Sequence, residues 1–222
     1  MIKAILFDLD GVVVDSEPLY QQAEKRMFGR YGITIPDEDW SLFRGVSEER
    51  FYQLAIERYN VPITLEQLRN EGRSEVLEAF SSGLKFMDGF ERLYDQLVSI
   101  YQLGLVTSTP QAIFESMDLQ LQLRELFPRV LTGEMTPNNK PHPQPYLTMM
   151  ADMQVNPDEV VIIEDSIHGL QAAWSSGAWT IALRGSVPEE EMPQRHLTIS
   201  RLSEIDAALI SALPETIAAA TQ

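Results

Sequence analysis

Two aspartates follow a short apolar run near the start of the chain, in the segment ILFDLDGVVVD at residues 5–15. Asp8 and Asp10 are separated by one residue, and Gly11 follows them directly. Two carboxylates this close raise the free energy of a fold unless a positive charge or a reaction requires both. The pair therefore indicates a bound cation, a nearby lysine, or chemistry that uses carboxylates.

Further polar side chains follow other predicted strands. The predicted strand at 101–106 is followed by hydroxyl side chains, the one at 159–163 by carboxylates, and a proline-rich loop supplies one lysine. Because ligands bind beyond the carboxyl ends of strands in an open α/β sheet, we expect these side chains to meet at one edge. The residues are Thr107, Ser108, Thr109, Lys140, Glu164 and Asp165.

The elements that must position these side chains fall into two groups. Residues 2–7 predict a buried strand, and beyond residue 83 short apolar runs alternate with helical patterns of roughly 10 to 15 residues. This alternation indicates βαβ units and a parallel sheet. Residues 16–82 contain only helical patterns. We therefore expect an α/β core at 1–15 and 83–222, with a helical insertion at 16–82 after the first strand.

Composition disfavours several classes of partner and site. Seventeen Lys and Arg residues against 33 Asp and Glu residues give a formal net charge of −16, which disfavours nucleic acid and anionic membranes. The absence of cysteine excludes disulfides, thiolate metal sites and thiol nucleophiles. No apolar run approaches the roughly 20 residues of a membrane helix, and the N-terminus lacks signal-peptide features. We expect a cytoplasmic protein, monomeric because no apolar interface is evident.

The segments DLDGVVVDS, VTST, KPHPQPY and IEDSIHG resemble, in order, the four motifs of the haloacid dehalogenase superfamily. More narrowly, they resemble its phosphatase and β-phosphoglucomutase-like branch, and the resemblance covers essentially the whole chain. It implies a Rossmann-like parallel sheet with a helical cap domain inserted after the first strand. It also implies a Mg²⁺-dependent phosphatase that acts on a small phosphorylated metabolite, either a sugar phosphate or a phosphoglycolate-like molecule, through an aspartyl-phosphate.

The resemblance implies a role for each motif residue. Asp8 would be the nucleophile and a Mg²⁺ ligand. Asp10 would be the general acid and then the general base, and its backbone carbonyl would also bind the metal. Asp165 would be a further metal ligand, whereas Glu164 would reach the metal through water or orient its shell. Lys140 would neutralise charge on the phosphoryl oxygens and on the nucleophile.

The remaining assigned residues would contact the substrate. Thr107 and the backbone of Ser108 would donate hydrogen bonds to the transferring group, and Gly11 would let the backbone approach it. In the insertion, SLFRGVSEERF resembles the substrate-facing cap loop of the branch, although its arginines could equally be ordinary surface charge. The candidate substrate contacts in this loop are Arg44, Gly45 and Arg50.

Several alternatives remain open. A phosphomutase would return the phosphoryl group to a sugar hydroxyl, but the histidine and arginine expected at its cap are replaced by Tyr20 and Glu48, although Arg50 could substitute. A haloacid dehalogenase would need neither the second aspartate nor Mg²⁺. A phosphonatase would need an activated cap lysine, and nothing marks Lys25 as one. A non-catalytic binding protein on the same fold would have degenerate motifs.

Overall fold

A computed structural model describes residues 1–43, 48–185 and 187–220. Six parallel strands form one sheet in the order β3-β2-β1-β4-β5-β6, which is the order of doubly wound nucleotide-binding folds. The predicted parallel α/β sheet is therefore confirmed. The strands are β1 (Ala4–Phe7), β2 (Gln102–Val106), β3 (Val130–Leu131), β4 (Val160–Glu164), β5 (Trp179–Leu183) and β6 (Leu197–Ile199).

The first strand lies in the middle of the sheet. It pairs in parallel with β2 on one side and with β4 on the other. The strand order reverses at β1 and β4, and such reversal points place the ligand crevice outside the carboxyl ends of the strands. The residues that follow these two strands are therefore at the expected binding position.

The α-helices make up much of the remaining chain. They are α1 (Glu17–Arg30), α2 (Glu48–Tyr59), α3 (Leu65–Phe80), α4 (Phe90–Leu97), α5 (Gln111–Leu121), α6 (Leu123–Leu126), α7 (Gln144–Met153), α8 (Ile167–Ser175) and α9 (Ala207–Ala220). Within the described ranges, no helix has both the length and the apolar character needed to span a bilayer.

One predicted helix is interrupted. The sequence around residues 113–126 predicts a continuous helix, but α5 ends at Leu121 and Gln122 adopts a left-handed conformation with φ of 54°. Left-handed backbone ends a helix because it turns the chain away from the helical axis. The turn precedes Leu123, which is fully buried in the core.

The side chains of β1 alternate between two hydrophobic cores, one on each face of the sheet. Ile5 and Phe7 belong to the larger cluster, whereas Ala4 and Leu6 belong to a second cluster with α7 and α8. Successive side chains of a strand point to opposite faces, so a run that is apolar at every position is buried on both. This burial holds the end of β1 in place.

Along the chain, helices α1 to α3 follow β1 and precede β2, and they enclose a hydrophobic cluster of their own. Its members include Met27, Phe28, Phe51 and Leu68. The buried carboxylate of Glu75 on α3 pairs with arginines of α1, which ties these two helices together. A cap domain that packs independently requires a hydrophobic cluster of its own. The boundaries between core and insertion at residues 16 and 82 stay a prediction.

Candidate active site

The segment after β1 turns sharply at Gly11. Its φ is +78°, and its N–H donates to the carbonyl of Val14 at 2.9 Å. A Cβ at this position would lie 2.3 Å from Oδ2 of Asp165. Only glycine combines the left-handed backbone with this close approach. The turn therefore brings the loop of Asp8 and Asp10 against the loop that follows β4.

Lys140 joins three segments of the chain at the sheet edge. Its Nζ donates to Oδ1 of Asp8 at 2.5 Å, to Oε1 of Glu164 at 2.7 Å and to the carbonyl of Val106 at 3.0 Å. An ammonium group has three N–H donors, so all three are engaged. Burial alone would lower the pKa of Lys140, but attraction to the two carboxylates raises it well above its usual range. The lysine is therefore a fixed positive charge beside Asp8.

Glu164 is fully buried beneath this lysine, with donors on both carboxylate oxygens. Besides Lys140, Oε1 accepts a hydrogen bond from the hydroxyl of Tyr146 at 3.0 Å. The other oxygen, Oε2, accepts from the N–H groups of Asp165 and Ser166 at 2.9 and 3.0 Å and from the Ser166 hydroxyl at 3.1 Å. Glu164 thus orients Lys140 and the turn between β4 and α8.

The carboxylate of Asp10 is held by two hydroxyl groups. Ser16 donates to Oδ1 and Thr109 donates to Oδ2, both at 2.5 Å. Burial raises the pKa of Asp10 above its usual value, although these two hydrogen bonds oppose the rise. Ser16 occupies the N-cap position of α1, but its side chain makes no capping hydrogen bond. Its hydroxyl orients Asp10 instead.

Three acidic side chains form a group that could hold a metal ion. Asp8, Glu164 and Asp165 each offer an oxygen, and these oxygens lie within 4.8 Å of one another. Burial is the main cause that raises the pKa of Asp8 to about 7, while Lys140 acts to lower it. A hard divalent cation prefers such oxygen ligands and favours their charged forms. The donor set fits a cation of this kind.

These groups open onto one cavity of about 240 Å³ between the sheet edge and the helical insertion. Thr107, directly after β2, accepts a hydrogen bond on Oγ1 from the N–H of Thr109 at 3.0 Å, so its own O–H can still donate. Residues 8, 10 and 165 therefore share the cavity with hydroxyl groups. The predicted site residues in the lining are Asp8, Asp10, Gly11, Thr107, Ser108, Lys140 and Asp165.

Of the three predicted cap contacts, only Arg50 lies within the described residues. Arg44 and Gly45 lie outside the described residues. Arg50 is half exposed, its Nη1 lies 3.6 Å from the Glu57 carboxylate, and it is absent from the described lining. The insertion instead contributes side chains that the sequence did not single out as site residues: Glu17, Tyr20, Gln21, Glu24, Trp40, Phe43, Glu48, Phe51, Tyr52, Arg73 and Val76.

Sequence reasoning also missed the roles of supporting residues around the motif carboxylates. Thr109 was expected at the sheet edge without a stated partner, and its hydroxyl, like those of Ser16 and Tyr146, binds a motif carboxylate. Gly169 leaves room for Glu164, since a Cβ there would lie 1.6 Å from Oε1. Each residue stands within or beside a quoted motif. That proximity was the available signal, but the partner of each hydroxyl could not be read from it.

Comparison with known proteins agrees with this geometry. The family model for haloacid dehalogenase-like hydrolases matches residues 5–183. A phosphorylated carbohydrates phosphatase of Thermotoga maritima is 32% identical over 177 residues, which cover 79% of this chain and 82% of that protein. A fructose-1-phosphate phosphatase of Escherichia coli K12 is 26% identical over 187 residues, covering 81% and 95%.

A solved structure extends the similarity to the whole fold. The crystal structure of a Thermotoga maritima protein described provisionally as a β-phosphoglucomutase superposes with a TM-score of 0.74 at 28% identity, covering 95% of this chain and 99% of that one. The family model, the sheet order and the residues gathered at the sheet edge agree. The chain belongs to the haloacid dehalogenase-like hydrolase family.

Proposed function

We propose that this protein is a Mg²⁺-dependent phosphatase that hydrolyses a small phosphorylated sugar or related metabolite through an aspartyl-phosphate on Asp8. The observation that carries this proposal is the convergence on Asp8. Lys140 donates a hydrogen bond to its carboxylate at 2.5 Å, carboxylate oxygens of Glu164 and Asp165 lie within 4.8 Å of it, and Asp8, Lys140 and Asp165 line the cavity. The two phosphatase relatives act on phosphorylated carbohydrates and on fructose 1-phosphate, which supports the substrate class.

In the first step, Asp8 attacks phosphorus and the bond between phosphorus and the leaving oxygen breaks. Asp10 gives its proton to that oxygen, so that the alcohol leaves uncharged. Ser16 and Thr109 keep the Asp10 carboxyl oriented for this transfer. Lys140 offsets the charge that develops on the phosphoryl oxygens, which is the main requirement of phosphoryl transfer.

In the second step, water replaces the alcohol. Asp10, now ionised, takes a proton from the water as its oxygen attacks phosphorus. The bond between phosphorus and Asp8 breaks, inorganic phosphate leaves, and the nucleophile is restored. Thr107 and the Ser108 backbone, which line the cavity, would donate hydrogen bonds to the phosphoryl oxygens in both steps.

Asp8, Asp165 and the backbone carbonyl of Asp10 would hold Mg²⁺, which when bound supplies positive charge to the phosphoryl oxygens. Glu164, whose oxygens already accept five hydrogen bonds from described donors, would act on this group by orienting Lys140 and the Asp165 loop. We further propose that residues 16–82 form a cap domain on a core of 1–15 and 83–222. Its side chains would cover the leaving group and exclude water.

Phosphate release from a panel of sugar and polyol phosphates, with Mg²⁺ or with EDTA, tests the proposal. Asp8→Asn should abolish release, whereas the matched control Asp15→Asn, at an exposed neighbouring position, should keep it. Metal binding can be followed separately, because Mg²⁺ should raise the Tm of the wild type but not that of Asp165→Asn. Turnover by Asp8→Asn at the wild-type rate would refute the nucleophile assignment.

A phosphomutase is the second candidate, because the superposed Thermotoga maritima structure is described provisionally as one. Tyr20 stands where that activity would need a histidine at the cap entrance, and its ring lines the cavity. Product analysis with glucose 1-phosphate separates the two activities. Release of inorganic phosphate supports hydrolysis, and conversion to glucose 6-phosphate supports transfer.

A further inference from the structure

One face of α1 forms a polar wall of the cavity. Glu17, Tyr20, Gln21 and Glu24 all line it, at the i, i+3, i+4 and i+7 spacing of a single helical face. Tyr20 lies near the catalytic end of the cavity. Burial and then the negative charge of the nearby Asp10 raise the pKa of its hydroxyl well above the usual range. Glu24 is one turn further along the helix. It is therefore placed to meet the part of a substrate that extends away from the phosphoryl group.

Glu24 has no role in the proposed reaction steps, and its side chain makes no polar contact with the described residues. It is half buried, and its carboxyl forms neither a hydrogen bond nor an ion pair with any described residue. Burial, and to a smaller extent the negative charge of Glu17, raises the pKa of Glu24 to about 8. A carboxyl that keeps its proton near neutral pH can both donate and accept a hydrogen bond. A partner supplied by a ligand would remove the cost of leaving it unsatisfied.

Trp40, which follows α1 in the chain, extends this wall with a further polar group. The residue lines the cavity and is only 4% exposed, and its indole Nε1 has no acceptor within the described part of the chain. The indole N–H is a donor only, so it can bind a hydroxyl or carbonyl oxygen but not a cation. The neighbouring lining residues Phe43 and Phe51 are apolar. A sugar-like molecule presents both the oxygens and the C–H faces that such a wall can contact.

The cations of the described lining are already engaged. They are Arg73 and Lys140. Arg73 donates to both oxygens of Glu48 at 2.6 and 2.7 Å, and Lys140 is bound to Asp8 and Glu164. A second anionic group on the substrate would therefore find no uncommitted cation among the described lining residues, and it would lie in a cavity that also contains the negative charge of Glu17.

We propose that Glu24, together with Trp40, selects an uncharged, polyhydroxylated leaving group by hydrogen bonding its hydroxyls. The inference rests on the proposed phosphatase function and narrows its substrate class. Phosphomonoesters of neutral sugars and sugar alcohols fit this wall. Substrates with a carboxylate or a second phosphate beyond the scissile ester, including phosphoglycolate, do not.

The test compares kcat/KM for glucitol 6-phosphate, phenyl phosphate and 2-phosphoglycolate in the presence of Mg²⁺. Phenyl phosphate serves as the reference because its leaving group has no additional hydroxyl. Glu24→Leu should lower kcat/KM for glucitol 6-phosphate about tenfold, as expected for one lost hydrogen bond in a buried site. The value for phenyl phosphate should change less than about twofold. Glu24→Gln, which keeps a donor and an acceptor, should restore most of the loss.

Two further variants keep the test decisive. Trp40→Phe removes only the indole N–H and its second ring, and should lower the same ratio of glucitol 6-phosphate to phenyl phosphate even if Glu24→Leu fails to fold. Glu66→Leu, at an exposed position in the first turn of α3, is the matched control and should leave the ratio unchanged.

The outcomes distinguish this inference from the function on which it rests. Equal effects on both esters, or a wild type that prefers 2-phosphoglycolate to glucitol 6-phosphate, would overturn the selection by Glu24 and leave the phosphatase intact. If the wild type releases phosphate from none of the three esters, the proposed function fails, and the inference fails with it.

Discussion

Replacing Gly169 by alanine should destabilise the protein, although alanine is the better helix former. Gly169 lies in the first turn of α8 and packs directly against the buried carboxyl of Glu164. A Cβ at residue 169 would lie 1.6 Å from Oε1 and 1.9 Å from Cδ of that carboxyl. The carboxyl would have to retreat until these separations reach at least 3.0 Å. It would then lose its contacts with Lys140 at 2.7 Å and Tyr146 at 3.0 Å.

The expected magnitude follows from two opposing contributions. In a helix, exchange of glycine for alanine stabilises by about 0.5–1 kcal/mol. Breaking a buried ion pair so that one charge loses its partner costs about 3–5 kcal/mol. Because Lys140 would retain its hydrogen bond to Asp8, we expect the cost of breaking its pair with Glu164 to lie toward the lower end of this range. We expect Gly169→Ala to lower the free energy of unfolding by about 2–4 kcal/mol.

Urea unfolding followed by circular dichroism measures this change. The matched control is Gly29→Ala in α1, where an added Cβ has no heavy atom within 4 Å. That variant should be as stable as the wild type or more stable, by up to about 1 kcal/mol. The two substitutions are chemically identical, so the difference between them isolates the contact with Glu164.

A double-mutant cycle can refute the reasoning. In a Glu164→Ala background the crowded carboxyl is gone, so adding Gly169→Ala should no longer be destabilising. If the second substitution costs as much there as in the wild type, the contact with Glu164 is not the cause. Equal stability of Gly169→Ala and the wild type would contradict the packing itself.

Three other predictions concern the site and its surroundings. Thr109→Val removes the donor to Oδ2 of Asp10 and should lower kcat about tenfold in a phosphate-release assay, because the proton-transfer group loses its orientation. Glu134→Gln weakens its 3.5 Å contact with Arg73, which joins α3 to the loop after β3, and should raise KM about two- to fivefold with kcat unchanged, as expected for a partly exposed ion pair. Burial lowers the pKa of His196 in the folded protein, so as pH falls the unfolded chain takes up a proton at this histidine before the folded protein does. The free energy of unfolding therefore decreases below about pH 6.5. His196→Gln should make the fall in Tm between pH 7 and pH 5 smaller.

Each of these three has an internal check. Thr109→Ser, which keeps the hydroxyl, should retain most of the wild-type kcat. If Glu134→Gln leaves KM unchanged, its ion pair with Arg73 does not contribute to substrate binding. A wild-type Tm that does not fall between pH 7 and pH 5 would contradict the protonation argument for His196, whose ring lies 4.7 and 4.8 Å from those of Trp174 and Trp179.

The parallel sheet and the set of residues at its edge could be predicted from the sequence because both depend on short-range patterns. An apolar run such as that of residues 4–7 indicates a strand buried on both faces wherever it occurs. The carboxyl ends of parallel strands share one edge, so Asp8, Thr107 and Asp165 could be grouped without knowledge of their distances. The inserted helical segment was likewise evident from its change of periodicity.

Tertiary structure decided which group meets which, because those contacts join residues far apart in the chain. Serine before a helix commonly caps it through its side chain, yet the hydroxyl of Ser16 binds Asp10, whose position depends on the turn at Gly11. The wall formed by Glu24 and Trp40 depends on how the helices of the insertion pack over the sheet edge. Local sequence determines where a carboxylate lies along its own strand or helix, whereas packing determines its burial, its partners and therefore its chemistry.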